Sequence, residues 1–180
     1  MALLDIVPTG NVAVALTPLA PQTNWQCVDE IPYNDAVDYV YGTSIVAYQQ
    51  DTYSHGDGAT GTINSLTVKY RAKCTRANDG ASKARARSVL VSGGVTVYGA
   101  VNNLTLYFAN YQDVYAVSPF TGLAWTSAEI NALSFGISMV GGINLIPQAT
   151  YPWCTQVYVQ VDYSLATTSE PLMDGLVFVE

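Results

Sequence analysis

Thr62-Ile63-Asn64-Ser65-Leu66-Thr67-Val68-Lys69-Tyr70-Arg71-Ala72-Lys73-Cys74 alternates with a period of two. In an extended chain, Leu66, Val68, Tyr70, Ala72 and Cys74 fall on one face, and Thr67, Lys69, Arg71 and Lys73 on the other. No helical spacing separates the two sets this way, so the stretch predicts a half-buried β-strand. The same reading applies near the C-terminus, where Val157, Val159, Val161 and Tyr163 alternate with Tyr158, Gln160, Asp162 and Ser164. Shorter strand candidates are Val12–Leu16, Trp25–Val28, Asp38–Tyr41, Ser44–Tyr48, Arg87–Val91, Leu104–Ala109, Ser134–Val140 and Leu176–Val179. Eight to ten short strands divided by Gly, Pro, Asn and Asp turns predict an all-β chain, an antiparallel jelly-roll-like β-sandwich.

One short helix interrupts this pattern. Thr126-Ser127-Ala128-Glu129 has the capping-box spacing, in which the Thr hydroxyl and the Glu carboxylate satisfy each other's orphan N–H groups. Ile130-Asn131-Ala132-Leu133 continues it for about a turn, before the chain returns to strand near Gly136.

The 180 residues are 49% hydrophobic and only 12% charged, with thirteen Tyr. That apolar content excludes a disordered chain, and the length suits one domain with a core of its own. Pro8, Pro18 and Pro21 punctuate the first segment. The expected organisation is therefore an N-terminal arm over 1–24, a jelly-roll sandwich over 25–165, and a C-terminal tail or final strand over 166–180. Met1-Ala2-Leu3-Leu4-Asp5 lacks the basic start of a secretory signal, and no apolar run reaches membrane-helix length. The expectation is a chain made and folded in the cytosol. Cys27, Cys74 and Cys154 sit in apolar or aromatic surroundings and read as buried thiols, with a Cys27–Cys154 bridge left open.

Charge placement is the most informative local feature. All seven basic residues lie in one window: Lys69, Arg71, Lys73, Arg76, Lys83, Arg85 and Arg87. Only Asp79 opposes them, so the window carries +6, against -7 before it and -6 after it in a chain of net charge -7. Two antiparallel strands joined by the Asn78-Asp79-Gly80 turn would set these residues in two adjacent rows on one sheet face. A solvated face and a nucleic-acid surface are alternatives, the second opposed by the acidic body of the chain. The sharper expectation is a partner-binding basic hairpin that docks on the acidic part of another copy or of another protein.

Catalytic and metal chemistry finds little to work with. His55 beside Asp57 lacks further ligands for zinc, and Asp29, Glu30, Asp35 and Asp38 show no calcium-loop spacing. The sequence contains neither a nucleophile elbow nor a phosphate loop. The expectation is a non-enzymatic protein without a cofactor or metal. Trp25, Trp125 and Trp153 with Tyr151 and Tyr158 could form a sugar-stacking platform, although core packing explains the same residue types.

The order of short motifs carries a resemblance. Trp25-Gln26-Cys27-Val28-Asp29-Glu30 precedes Asp38-Tyr39-Val40 and Asp51-Thr52-Tyr53, followed by the alternating Ile63–Arg71 strand. Pro119-Phe120-Thr121-Gly122-Leu123-Ala124-Trp125-Thr126 then leads into Glu129-Ile130-Asn131-Ala132-Leu133 and Gly136. From Trp25 to Tyr163 this resembles a loosely defined group of jelly-roll structural proteins of tailed bacteriophages and related viruses. The resemblance implies a virion component that assembles by protein–protein contacts, such as a capsid decoration or head or tail accessory protein. Copies of itself or other virion proteins would be its partners. The alternative is a receptor- or glycan-binding module of a tail fibre or surface appendage.

Overall fold

Alternation in the sequence becomes alternation in burial. A computed structural model describes residues 2–165 except 20, 36, 57, 78, 81, 146 and 147. In chain order, its first strands are β1 (Ala2–Ile6), β2 (Gly10–Ala13), β3 (Thr17–Pro18), β4 (Val40–Tyr41) and β5 (Gln49–Ser54). The long β6 (Thr62–Cys74) is followed by β7 (Arg85–Ser92), β8 (Val95–Tyr98), β9 (Asn102–Asn103) and β10 (Ala109–Tyr115). After helix α1 (Ser127–Asn131) come β11 (Ser134–Val140), β12 (Gly142–Ile143), β13 (Ala149–Thr150) and β14 (Pro152–Ser164).

These strands form two antiparallel sheets and one small strand pair. The first sheet runs β10-β6-β14-β4-β3, with β1 also on β14. The second runs β2-β5-β11-β7-β8, with β9 also on β7. Strand β14 shares one edge between two neighbours, meeting β4 at Trp153 and Cys154 and β1 from Val159 to Tyr163. A register shift between Cys154 and Gln156 marks the division, and there the Val157 N–H donates to the Val28 carbonyl at 2.9 Å. The fold is thus an antiparallel jelly-roll-like β-sandwich with one short helix.

The core lies between the sheets. Leu66, Val68, Tyr70, Ala72, Cys74, Val157, Val159 and Val161 face inward from the first sheet. Tyr53, Ala86, Leu90, Phe135, Ile137 and Met139 meet them from the second. Tyr70 reaches across: its hydroxyl donates to the Ala86 carbonyl at 3.4 Å and accepts from Asn102 Nδ2 at 2.9 Å. The α1 capping box is formed, with Thr126 Oγ1 accepting from the Glu129 N–H at 3.1 Å and the Glu129 carboxylate accepting from the Thr126 N–H at 2.9 Å.

Several expectations need correction. The first 24 residues, expected as an arm, supply β1, β2 and β3, which pair with β14, β5 and β4. Trp25–Cys27 forms a 3-10 turn rather than a strand, with the Cys27 and Val28 N–H groups donating to the Asn24 and Trp25 carbonyls. Ser44–Tyr48 and most of Leu104–Ala109 are loops, while the more polar Gln49–Ser54 and Ala109–Tyr115 are the strands. The Leu176–Val179 candidate lies outside the described residues.

The three cysteines are free and buried, so Cys27 and Cys154 are not bridged. Burial raises all three thiols above the ordinary range, that of Cys154 to about 12. A buried thiol held protonated is a poor nucleophile. All three should therefore resist a thiol-reactive dye in the native protein and react together on denaturation, and fast native labelling of any of them would contradict this placement.

Candidate functional site

The basic hairpin expected from sequence does not form. Strand β6, with Lys69, Arg71 and Lys73, belongs to the first sheet; β7, with Arg85 and Arg87, belongs to the second. Each strand turns its apolar residues to the shared core, so the two basic rows face outward in opposite directions. The ten residues from 75 to 84 span the ~10 Å between packed sheets, a gap that a tight turn could not cross. Arg76 and Lys83 lie in that crossover; Arg76 donates to Gln148 Oε1 at 2.6 Å. Val89 shares parity with Arg87 yet is fully buried, and the β7–β11 register is continuous there. A change of surroundings explains it, since Gly136 and Tyr98 flank it in the sheet.

The outer face of the first sheet carries the richest surface. Register places Gln112, Lys69 and Tyr158 in one row, and Asn110, Arg71 and Gln156 in the next. A third row holds Lys73, Trp153 and Tyr41. Aromatic rings pack against this row. Tyr39 lies parallel to Trp153, with centroids 4.2 Å apart and planes at 6°, and Lys73 Nζ sits 4.6 Å from the rings of both Trp153 and Phe108.

Two clefts open on this face. The first, about 390 Å³, is lined by Ile31, Pro32, Tyr33, Lys69, Asn110, Gln112, Gln156 and Tyr158, among others. The second, about 440 Å³, is lined by Leu19, Tyr39, Tyr41, Thr43, Thr75, Tyr151 and Trp153. Both combine aromatic rings with short or amide-bearing polar groups, the composition of sites that hold small polar ligands by shape and a few hydrogen bonds.

Arg71 stands behind the first cleft and holds two of its lining residues, Tyr33 and Asn110. Its Nε donates to Asp35 Oδ1 at 2.8 Å and its Nη2 to Asp35 Oδ2 at 2.6 Å, a two-pronged pair with little exposure. The Thr155 hydroxyl donates to the same carboxylate at 3.0 Å, and the Tyr33 ring lies 3.8 Å from the guanidinium carbon. Gln156 holds the loop start by donating to the Glu30 carbonyl. The Arg71 fork, helped by Thr155, keeps the Asp35 carboxyl below the usual carboxylate range. Lys69 donates to Gln160 Oε1 at 3.0 Å, near the Tyr158 ring.

Three of the five platform candidates reach these clefts: Trp153 and Tyr151 line the second and Tyr158 the first. Trp125 is buried in the core and donates from Nε1 to the Tyr115 carbonyl at 3.0 Å; Trp25 packs partly buried against the core. Tyr33, Tyr39 and Tyr41 were missed because they come from the loop after Glu30 and from a two-residue strand, where no periodicity marks a face. His55 Nε2 bonds the Ile130 carbonyl at 3.0 Å and its ring meets Phe135 at 5.9 Å, a packing role beside α1. Asp57 lies outside the described residues. Among those residues no cluster of three or more His, Cys, Asp or Glu is placed to hold a metal, and Asp35 is committed to Arg71. No helix there is long and apolar enough to cross a membrane.

No protein-family model and no curated protein matches this sequence. Among solved structures, the chain is similar to the N-terminal cellulose-binding domain of Cellulomonas fimi β-1,4-glucanase C, at 12% identity and a TM-score of 0.44 over 74% of this chain and 84% of that one. The CBM36-1 domain of a xylanase from the Trinervitermes trinervoides hindgut metagenome gives 12% identity and 0.42, over 91% and 98%. The enzymatically active domain of bacteriophage CBA120 tailspike protein 4 gives 16% identity and 0.37, over 89% of this chain and 19% of that one. Likeness at this distance transfers no ligand, and the functional argument rests on the clefts themselves.

Proposed function

We propose that this domain binds a glycan, without turnover, on the outer face of the first sheet. The observation that carries the reading is the pair of clefts on one sheet face, both lined by aromatic rings beside hydroxyl and amide groups. Sugar rings offer apolar C–H faces and a rim of hydroxyls, and so fit surfaces that mix aromatic rings with polar donors and acceptors. The stack of Phe108, Lys73, Trp153 and Tyr39 is already packed, so little side-chain entropy remains to be lost on binding. Lys69, Asn110, Gln112 and Gln156 at the first cleft, with Thr43 and Thr75 at the second, supply the hydrogen bonds that select among sugars.

Of the two roles drawn from sequence, this favours the receptor- or glycan-binding module of a tail fibre or surface appendage. The shell-forming role would use the basic hairpin and the N-terminal arm. The basic rows lie on opposite faces, and the N-terminal segment is built into the sandwich.

The test is a screen of neutral and acidic oligosaccharides, with hits measured by calorimetry and tryptophan fluorescence. Tyr151→Ala and Tyr158→Ala should each weaken binding roughly tenfold or more, the usual cost of removing an aromatic anchor. Trp153→Phe should remove most of the fluorescence response. A screen with no hit, or a hit indifferent to all three substitutions, would refute the assignment.

A further inference from the structure

The outer face of the second sheet, away from the glycan clefts, carries a separate arrangement. Arg85 and Arg87 stand two residues apart on β7 and share the outward face. The Arg87 guanidinium carbon lies 3.7 Å from the Tyr98 ring centroid and 4.2 Å from that of Tyr48. Arg85 lies over the same Tyr48 ring at 5.8 Å. Two like charges are gathered at one ring, whose π face attracts each of them while their mutual repulsion goes unanswered. Among the described residues neither has a carboxylate partner.

The hydrogen-bonding inventory points the same way. Arg85 Nε, Arg87 Nε, the Tyr48 hydroxyl and Ser138 Oγ are all buried, and among the described residues none of them has a partner. Ser138 is 1% exposed and stands directly opposite Arg87 in the β11–β7 register. All four atoms can donate, and each lacks an acceptor. A buried donor left unpaired loses its hydration without return, so such groups gathered in one patch call for a common acceptor.

We propose that Arg85 and Arg87, with Ser138 and Tyr48, form a binding site for an oxyanion of the carboxylate, sulfate or phosphate class. Guanidinium forks match the oxygen spacing of these groups, and the two tyrosine rings hold the Arg87 fork in place before the ligand arrives. A single oxyanion between the two cations relieves their repulsion and supplies the missing acceptor. A long polyanion is disfavoured, because a chain of net charge -7 repels it away from this patch.

The experiment follows the arginine Nε–H resonances of the intact protein by NMR during titration with sodium sulfate, phosphate or acetate, with sodium chloride holding ionic strength constant. The Arg85 and Arg87 signals should shift saturably, while that of Arg71, already paired with Asp35, stays in place. A response to sulfate and phosphate alone assigns a tetrahedral anion, and a response to acetate assigns a carboxylate. Arg87→Gln should weaken binding roughly tenfold or more, with a smaller loss in Ser138→Ala. Absence of a saturable shift at Arg85 and Arg87 in the wild-type protein, or equal affinity in Arg87→Gln, would overturn the site. The wild-type titration decides the matter even if a variant fails to fold, and neither result bears on the glycan clefts.

Discussion

Replacing Asp51 with alanine is expected to cost about 3–5 kcal/mol of folding stability, the scale of losing several hydrogen bonds to one charged acceptor and leaving buried donors unsatisfied. Asp51 is fully buried on β5, on the face that points into the core. Its Oδ1 accepts from the backbone N–H groups of Ala15 and Leu16 at 2.7 and 2.9 Å. Its Oδ2 accepts from Asn24 Nδ2 at 2.6 Å and from the Tyr53 hydroxyl at 3.2 Å. This one carboxylate therefore fastens the segment after β2, and Asn24 just before the 3-10 turn, to the second sheet. Alanine takes the acceptor from four donors at once, three of them on buried residues. Urea unfolding of Asp51→Ala should show a midpoint shift of that size with an unchanged slope. Asp51→Asn, which keeps one acceptor oxygen, should fall between. A loss below about 1 kcal/mol would show that water replaces the carboxylate at no cost, contrary to its burial.

Arg71→Ala is expected to cost about 2–3 kcal/mol and to remove ligand affinity at the first cleft together with that stability. Arg71 holds the loop after Glu30 at two points, by its fork to Asp35 and by its stack on Tyr33. Alanine releases both and leaves Asp35 without its cation. Arg71→Lys keeps the charge and loses the fork, so it should recover only part of the affinity. The pair also sets a pH dependence. Because the folded Asp35 carboxyl is held below the ordinary range, its stabilisation is complete above the unfolded aspartate value of about 3.9 and fades as pH falls through the lower folded value. The stability gap between wild type and Arg71→Ala should therefore narrow in acid. A gap that stays constant from neutral pH into strong acid would mean that the ion pair contributes nothing.

Both predictions concern contacts between residues distant in the chain, and this is where the sequence stops being informative. The strand character of Thr62–Cys74 was legible because every second side chain meets the same surroundings, so burial repeats in the sequence itself. The five residues assigned to its inner face are all in the core, which also takes in Ile63, out of parity beyond a register shift against β14. The capping box over Thr126–Glu129 was legible for a similar reason, since its partners are three residues apart. Short segments carry no such signal. Val40–Tyr41 and Thr17–Pro18 are strands only because a neighbour pairs with them, and Gln49–Ser54 hides its polar Asp51 by bonding it to a remote segment.

The site divides along the same line. That Lys69, Arg71 and Lys73 form one outward row, and Arg85 and Arg87 another, follows from parity within each strand. That the two rows face opposite sides of the molecule follows from neither, because parity says nothing about which sheet a strand joins. The strand partners decide it: β6 is held between β10 and β14, and β7 between β11 on one side and β8 and β9 on the other. Tyr158 was visible as an aromatic residue of a strand and Trp153 as a platform candidate, but Tyr33, Tyr39 and Tyr41 join them only through chain crossings. By itself the sequence determined the two long strands, their inner faces and the alternation of charge with apolar residues, all of them short-range properties of an extended backbone. Only the tertiary structure decided which faces look outward together, because that depends on which strands share a sheet across scores of intervening residues.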